Sequence, residues 1–238
     1  MRFGMCTDIA TATRDRVEYA LVERIKAAGF DFVEFPLMMI DSLSDEDFEA
    51  LLSELKRLDL ACDCSCNYYP GRIKVVGPTA NKEEIDAYLD HAMGRAARMG
   101  VKKIVFGSNN SRNLPEGESI EQGYDELCRM IHESVIPCCK KYGIMIVMEL
   151  LADLMHMNYN EEDPEDLNDV IDEVRHVHIC ERDRILPEHG YSEYLQHCLN
   201  VLKKHHYDLT ITFEAKGGEG PESLAKALAL LKKEFAYN

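Results

Sequence analysis

I-M-I-V-M-E-L-L-A-D-L-M-H, residues 144–156, is the stretch on which the fold turns. Its first half is a short apolar run ending in Glu149, and Asp153 follows four residues later. Two further runs carry a titratable group in the same way. V-R-H-V-H-I (174–179) contains His178, and L-T-I-T-F-E (209–214) ends in Glu214. A charged side chain at the end of a buried strand is costly unless it meets a metal, a partner or water. Where parallel strands alternate with helices, chemistry collects at the carboxyl edge of the strands. Three carboxylates and one imidazole at such an edge suit a divalent cation, which in turn suits aldose–ketose or epimer chemistry.

Outward from this segment, short strand-like runs alternate with amphipathic helices. Strands are expected at Arg2–Cys6, Phe32–Phe35, Leu60–Cys66, Lys103–Gly107, Ile144–Glu149, Glu173–Cys180 and Leu209–Glu214. Between them, apolar stripes at helical spacing mark helices, for instance Phe48, Leu51, Leu52, Leu55 and Leu58 after a Ser44 N-cap. A long helix is expected over 119–142, kinked by Pro137. With no linker or break in composition, the pattern predicts one α/β domain over 1–238 on a parallel sheet. The length suits a (β/α) TIM-type barrel.

One place breaks the count. Between Glu149 and His156 there is no room for a helix, whereas a parallel crossover needs at least about 10–12 residues. Seven strands are legible where a full barrel has eight. The barrel is therefore expected to be incomplete or irregular around 149–156, leaving apolar edges that a second copy could cover in a homo-oligomer.

Composition excludes some classes of function. The chain has 43 acidic against 27 basic residues and a formal charge of −16, which repels a phosphate backbone and argues against nucleic acid as a partner. No apolar run approaches the roughly 20 residues of a membrane span, and the N-terminus does not read as a signal peptide. Nine irregularly spaced cysteines do not suggest a disulfide framework, so cytosolic thiols and a cytoplasmic location are expected. Cys62, Cys64 and Cys66 could form a metal knuckle, but the same spacing places three small apolar groups on one strand face.

Several segments in order carry a resemblance. G-F-D-F-V-E (29–34) ends in Glu34, and two long loops run over 67–78 and 106–117. Then follow I-V-M-E (146–149), A-D-L-M-H-M-N (152–158), H-V-H-I-C-E-R-D-R (176–184) and T-F-E (212–214). Together they resemble the sugar phosphate isomerase/epimerase family, the xylose-isomerase-like barrels that include ketose 3-epimerases and hydroxypyruvate isomerases.

The resemblance implies that Glu149, Asp153, His178 and Glu214 hold one divalent ion, with Mn²⁺, Co²⁺ or Mg²⁺ fitting the oxygen-rich set better than Zn²⁺. It implies that His156 and Arg184 touch sugar hydroxyls, and that Glu149 and Glu214 move a proton on opposite faces of a substrate carbon through an enediolate. The substrate would be a small sugar, sugar phosphate or hydroxy-keto acid. Family members place a helix and another strand between the Glu and the Asp. Here roughly one strand–helix unit is missing near 150.

Blander readings stand beside these. His178 could be an ordinary strand histidine, although alternation puts it on one face with His176. Glu214 could pair with Lys216, His156 could cap a turn, and Arg184 could belong to an ion-pair cluster with Glu181, Arg182 and Asp183. Glu34 and Arg112 are further candidates for substrate contact, Arg112 as a loop residue that could equally be solvated. The alternative to an isomerase or epimerase is a catalytically impaired relative that binds carbohydrate without turnover. An endonuclease-type hydrolase would need more strand-end histidines and a basic face.

Overall fold

The computed structural model describes residues 1–8, 16–107, 109–147, 151–218 and 220–236. In chain order the elements begin with β1 (Arg2–Cys6), α1 (Tyr19–Ala27), β2 (Phe32–Pro36), α2 (Leu37–Ser42), α3 (Asp45–Leu58) and β3 (Cys64–Cys66). Next come α4 (Lys82–Met99), β4 (Lys103–Val105), α5 (Asn109–Arg112), α6 (Ile120–Met130), α7 (Ile136–Tyr142) and β5 (Met145–Val147). The last third holds β6 (Leu151–Asp153), α8 (Leu154–Tyr159), α9 (Leu167–Val170), β7 (His176–Ile179), α10 (Glu193–Lys204), β8 (Thr210–Phe213) and α11 (Ser223–Glu234). Among the described residues no helix is long and apolar enough to cross a membrane.

The count of seven strands is corrected to eight among the described residues. Leu151–Asp153 is a strand in its own right, pairing with β7 through Leu151↔His176, Ala152↔Val177 and Asp153↔His178. Three residues are too few for periodicity to reveal; the parallel hydrogen bonding to β7 defines them. The strand before it, β5, pairs with β4 through Lys103↔Met145, Ile104↔Ile146 and Val105↔Val147. Only residues 148–150 separate β5 from β6. Among the described residues no helix stands between β5 and β6, and this is where the fold departs from regular strand–helix alternation.

The chain divides into two compact units: Met1–Glu34, Leu51–Ala61 and Glu149–Asn238 form one, and Phe35–Ala50 and Cys62–Met148 the other. In the first unit the parallel strands run in the order β2, β1, β8, β7, β6. The register places Gly4 beside both Phe32 and Thr212, Thr212 beside His178, and His178 beside Asp153. Successive side chains alternate between faces, so Phe32, Glu34, Asp153, His176, His178, Thr210 and Thr212 share one face. On the other face Val177, Ile179, Ile211 and Phe213 are fully buried, each contributing about 1.5–3 kcal/mol of apolar burial. Leu195, Leu199 and Leu202 of α10 and Leu224, Leu228 and Leu231 of α11 are buried too. Hydrophobic packing on one face thus holds a polar face in place on the other.

In the second unit the last residues of β2 pair with β3 through Phe35↔Ser65 and Pro36↔Cys66, and β3 pairs with β4. Arg95 of α4 is buried, stacked over Phe48 at 4.9 Å, and donates to the carbonyls of Ile40 (2.9 Å) and Leu43 (2.6 Å) and to Asp45 (2.6 Å). A guanidinium has enough fixed donors to satisfy the carbonyls left open between α2 and α3. The helix expected over 119–142 is broken by a π-helical segment, Ile131–Val135, that joins α6 to α7. Pro137 cannot donate to the carbonyl four residues back and its ring crowds it, and the wider turn just before it absorbs the misfit.

Candidate functional site

The site is built on the polar face of the first unit. β7 brings in two imidazoles because H-V-H alternates: His176 and His178 point to the same side, while Val177 and Ile179 anchor the strand behind them. β8 contributes Thr210 and Glu214 by the same parity, with Glu214 just past the strand end. β6 ends in Asp153, whose Oδ1 accepts from the backbone N–H groups of Met155 and His156, both at 3.1 Å, and so caps α8. This leaves Oδ2 to face the site. Ligating atoms of Asp153, His178 and Glu214 all lie within 4.8 Å of one another. Two carboxylates and an imidazole at such spacing are a donor set that fits a divalent cation.

Behind this trio lies a chain of buried hydrogen bonds. Glu34, at the end of the part of β2 in this unit, is wholly buried. Its Oε1 accepts from Nε2 of His178 at 3.0 Å and its Oε2 from Nε2 of His176 at 3.1 Å. Nδ1 of His176 is 2.7 Å from the Thr210 hydroxyl. Nδ1 of His178 turns the other way, to Oε2 of Glu214 at 3.2 Å.

Ion pairing sets the charge states. Burial acts to raise the pKa of Glu34, but the His178 and His176 imidazoles outweigh it and hold that carboxyl well below its usual range. Burial acts to lower the pKa of His178, yet the carboxylates of Glu34 and Glu214 push it well above its ordinary value. Glu214 is likewise held low against burial by His178 and Arg184. His178 therefore donates from both ring nitrogens, as an imidazolium between two carboxylates.

Arg184 completes the site. Its Nη1 is in close contact with Oε2 of Glu214 and lies 4.0 Å from Oδ2 of Asp153, and its Nη2 lies 3.2 Å from Nε2 of His156. The backbone that aims it is strained: Asp183 and Arg184 both have left-handed φ, +60° and +59°, which costs a non-glycine residue about 1–3 kcal/mol. Two hydrogen bonds hold that turn, Lys216 N–H to Arg184 C=O at 2.8 Å and Glu181 N–H to Ile185 C=O at 2.9 Å.

The first unit thus gathers Glu34, Asp153, His156, His178, Arg184 and Glu214. Arg112 belongs to the second unit, on α5, with its guanidinium 5.7 Å from the Phe106 ring centre. Glu149 lies outside the described residues. Sequence reasoning placed His176 beside His178 but assigned it no part, and passed over Thr210. The signal for both was parity: each shares its strand face with a strand-end acid or imidazole.

Comparison places this geometry. The chain belongs to the family of xylose isomerase-like TIM barrels, whose sequence profile matches residues 22–180. A search of curated protein sequences finds no match. Among solved structures, a D-psicose 3-epimerase in the presence of D-fructose is 14% identical with a TM-score of 0.81, covering 100% of both chains. A D-allulose 3-epimerase from Methylomonas sp. in complex with D-allulose is 15% identical with a TM-score of 0.80, covering 99% of this chain and 97% of that one. A 3-keto-D-glucoside 4-epimerase from E. coli is 18% identical with a TM-score of 0.72, covering 98% and 99%. At these identities the likeness is one of fold.

Proposed function

We propose that this protein is a divalent-metal-dependent isomerase or epimerase of a small ketose or a related hydroxy-keto compound. The observation that carries the reading is the convergence of Asp153, His178 and Glu214, from three neighbouring strand ends, with ligating atoms within 4.8 Å. These three residues would hold the ion, with Glu149 as the fourth ligand the family resemblance implies; Mn²⁺, Co²⁺ or Mg²⁺ suits the set. The ion supplies Lewis acidity, polarising a substrate carbonyl and lowering the acidity barrier of the adjacent C–H.

The chain's own residues do the rest. Glu214 is held ionised by His178 and Arg184 and takes a proton from the carbon beside the carbonyl, giving the substrate enediolate. Glu149, entering this step protonated, delivers its proton to the same carbon from the opposite face, and exchange with solvent resets the two carboxyls. Arg184 and His156, in contact with each other, orient sugar hydroxyls as hydrogen-bond partners. Free ketoses are the first compounds to test, because the structural neighbours were solved with D-fructose and D-allulose. Nine free thiols fit a reducing, cytoplasmic setting.

The test is to titrate purified protein with Mn²⁺ calorimetrically and then follow exchange of a ketose C–H for deuterium by NMR. Binding of one ion together with exchange supports the reading, and absence of both removes it. A second reading, carbohydrate binding without turnover, is favoured by the three-residue link between β5 and β6. It predicts ketose binding with no exchange at any metal concentration.

A further inference from the structure

We propose that Glu34, backed by His176 and Thr210, is a positioning residue that presents Nδ1 of His178 to the metal and does not contact substrate. The inference rests on the metal-dependent reading above and replaces the substrate contact for which Glu34 was a candidate. Its ground is geometric. Glu34 has no exposed surface, and each of its carboxylate oxygens already accepts from an imidazole, His178 at 3.0 Å and His176 at 3.1 Å. Wholly buried, it offers no surface to a sugar hydroxyl.

The same bonds decide which nitrogen of His178 is available. With Nε2–H committed to Glu34, the other nitrogen, Nδ1, faces Glu214 at 3.2 Å, on the side where Asp153 also converges. A ligating histidine usually donates its second N–H to a carboxylate, which fixes the tautomer and the plane of the ring. Here that carboxylate is itself clamped. His176 packs edge-on against the His178 ring, with centres 5.0 Å apart and planes at 78°. The Thr210 hydroxyl, 2.7 Å from Nδ1 of His176, stops that second ring from turning. The order Thr210, His176, Glu34, His178 is therefore a rigid line of support running along the polar face of the sheet into the ligand set.

The experiment compares wild type, Glu34→Gln and Thr210→Val. An amide in place of Glu34 has one acceptor oxygen for two N–H donors and sets its own NH₂ against the other ring. Mn²⁺ affinity by calorimetry is expected to fall about 10–100-fold in Glu34→Gln. Thr210→Val removes the hydroxyl that meets Nδ1 of His176 at 2.7 Å and the Arg175 carbonyl at 3.5 Å, and through the first of these is expected to weaken binding about two- to tenfold. At saturating metal the KM for a ketose should be unchanged in both. Unchanged Mn²⁺ affinity in the variants, or a raised KM at saturating metal, overturns the proposal while leaving the metal-dependent function standing. Wild type that binds no ion removes the functional reading itself. Should Glu34→Gln fail to fold, Thr210→Val carries the test: a loss of affinity at unchanged KM supports the line of support, and unaltered affinity refutes it.

Discussion

Oε1 of Glu34 and Nε2 of His178 are 3.0 Å apart across 144 positions of sequence. Their strands are not neighbours, since β1 and β8 lie between β2 and β7. The contact therefore crosses the polar face of the sheet. In register, Cys6 of β1 stands beside Glu34 and Thr212 of β8 beside His178. A buried carboxylate bonded to two buried imidazoles is tolerable because the charges compensate one another. Remove one member and the rest are left with an uncompensated charge. The face that carries the chemistry is in this way also part of what holds the unit together.

Glu214 is the residue whose loss should separate chemistry from fold most cleanly. Glu214→Gln keeps the shape and the oxygen that faces Arg184 but cannot take a proton. Deuterium exchange into a ketose should drop about 10²–10⁴-fold. Mn²⁺ affinity should fall as well, because an anionic ligand becomes a neutral one. Exchange at the wild-type rate in this variant would take Glu214 out of the reaction.

The line of buried charge makes stability depend on pH in a definite direction. Glu34 has a folded pKa below its ordinary 4.5, so its contribution is present above about pH 4.5 and is lost as pH falls through the folded value. His178 has a folded pKa above its ordinary 6.5, so its contribution is full below about pH 6.5 and is lost as pH rises through the folded value. Without metal, stability should be greatest between roughly pH 4.5 and 6.5 and decline above it. Mn²⁺ must displace the Nδ1 proton of His178, so its affinity should rise over the same alkaline range, with proton release on binding. Urea melts in EDTA, set beside calorimetry in buffers of different ionisation enthalpy, test both halves. Stability without metal that climbs from pH 6.5 to 8.5 would contradict the assignment.

Much of this was legible in the chain, for reasons that differ from residue to residue. His178 and Glu214 could be read because each belongs to a run of apolar residues long enough to show a strand. Alternation then fixed the face on which each side chain lies. β6 could not be read as a strand, because Leu-Ala-Asp is too short for any period and owes its form to pairing with β7. Asp153 was visible as an acid near a strand end, but its second task as the cap of α8 depends on the helix starting immediately after it. Glu34 was read as a strand-end acid, yet its partners lie on a strand three places away in the sheet. No local pattern encodes that. The departure at Pro137 was expected as a kink, and its resolution as a π segment depends on how the two helix halves pack.

Arg184 should act as a cation that competes with the metal as well as a substrate contact. Its guanidinium is on Glu214 and within 4.0 Å of Asp153, which are two of the ligands. Arg184→Ala is therefore expected to bind Mn²⁺ more tightly than wild type. It should also raise the ketose KM about 10–100-fold, the range for loss of a hydrogen bond to a charged group. Opposite movement of the two constants is the signature to look for in calorimetry and steady-state kinetics. Weaker metal binding together with the raised KM would mean that Arg184 organises the ligands and does not compete for them.

Gly4 gives a test of the scaffold that leaves every polar group in place. A Cβ built there would lie 2.2 Å from Cε2 of the Phe32 ring, far inside contact distance. Phe32 is fully buried, and its ring is next in register to Gly4, so it has little room to move aside. Gly4→Ala should destabilise by about 1–3 kcal/mol, the usual cost of forcing extra volume into a packed interior. The backbone entropy gained by replacing glycine, about 0.4–1 kcal/mol, offsets part of this. Paired substitution Gly4→Ala with Phe32→Leu should recover stability relative to Phe32→Leu alone, because the smaller side chain vacates the space the methyl needs. A thermal-melt cycle over the four proteins measures the coupling, and strictly additive changes would show that Phe32 does not fill the space above Gly4.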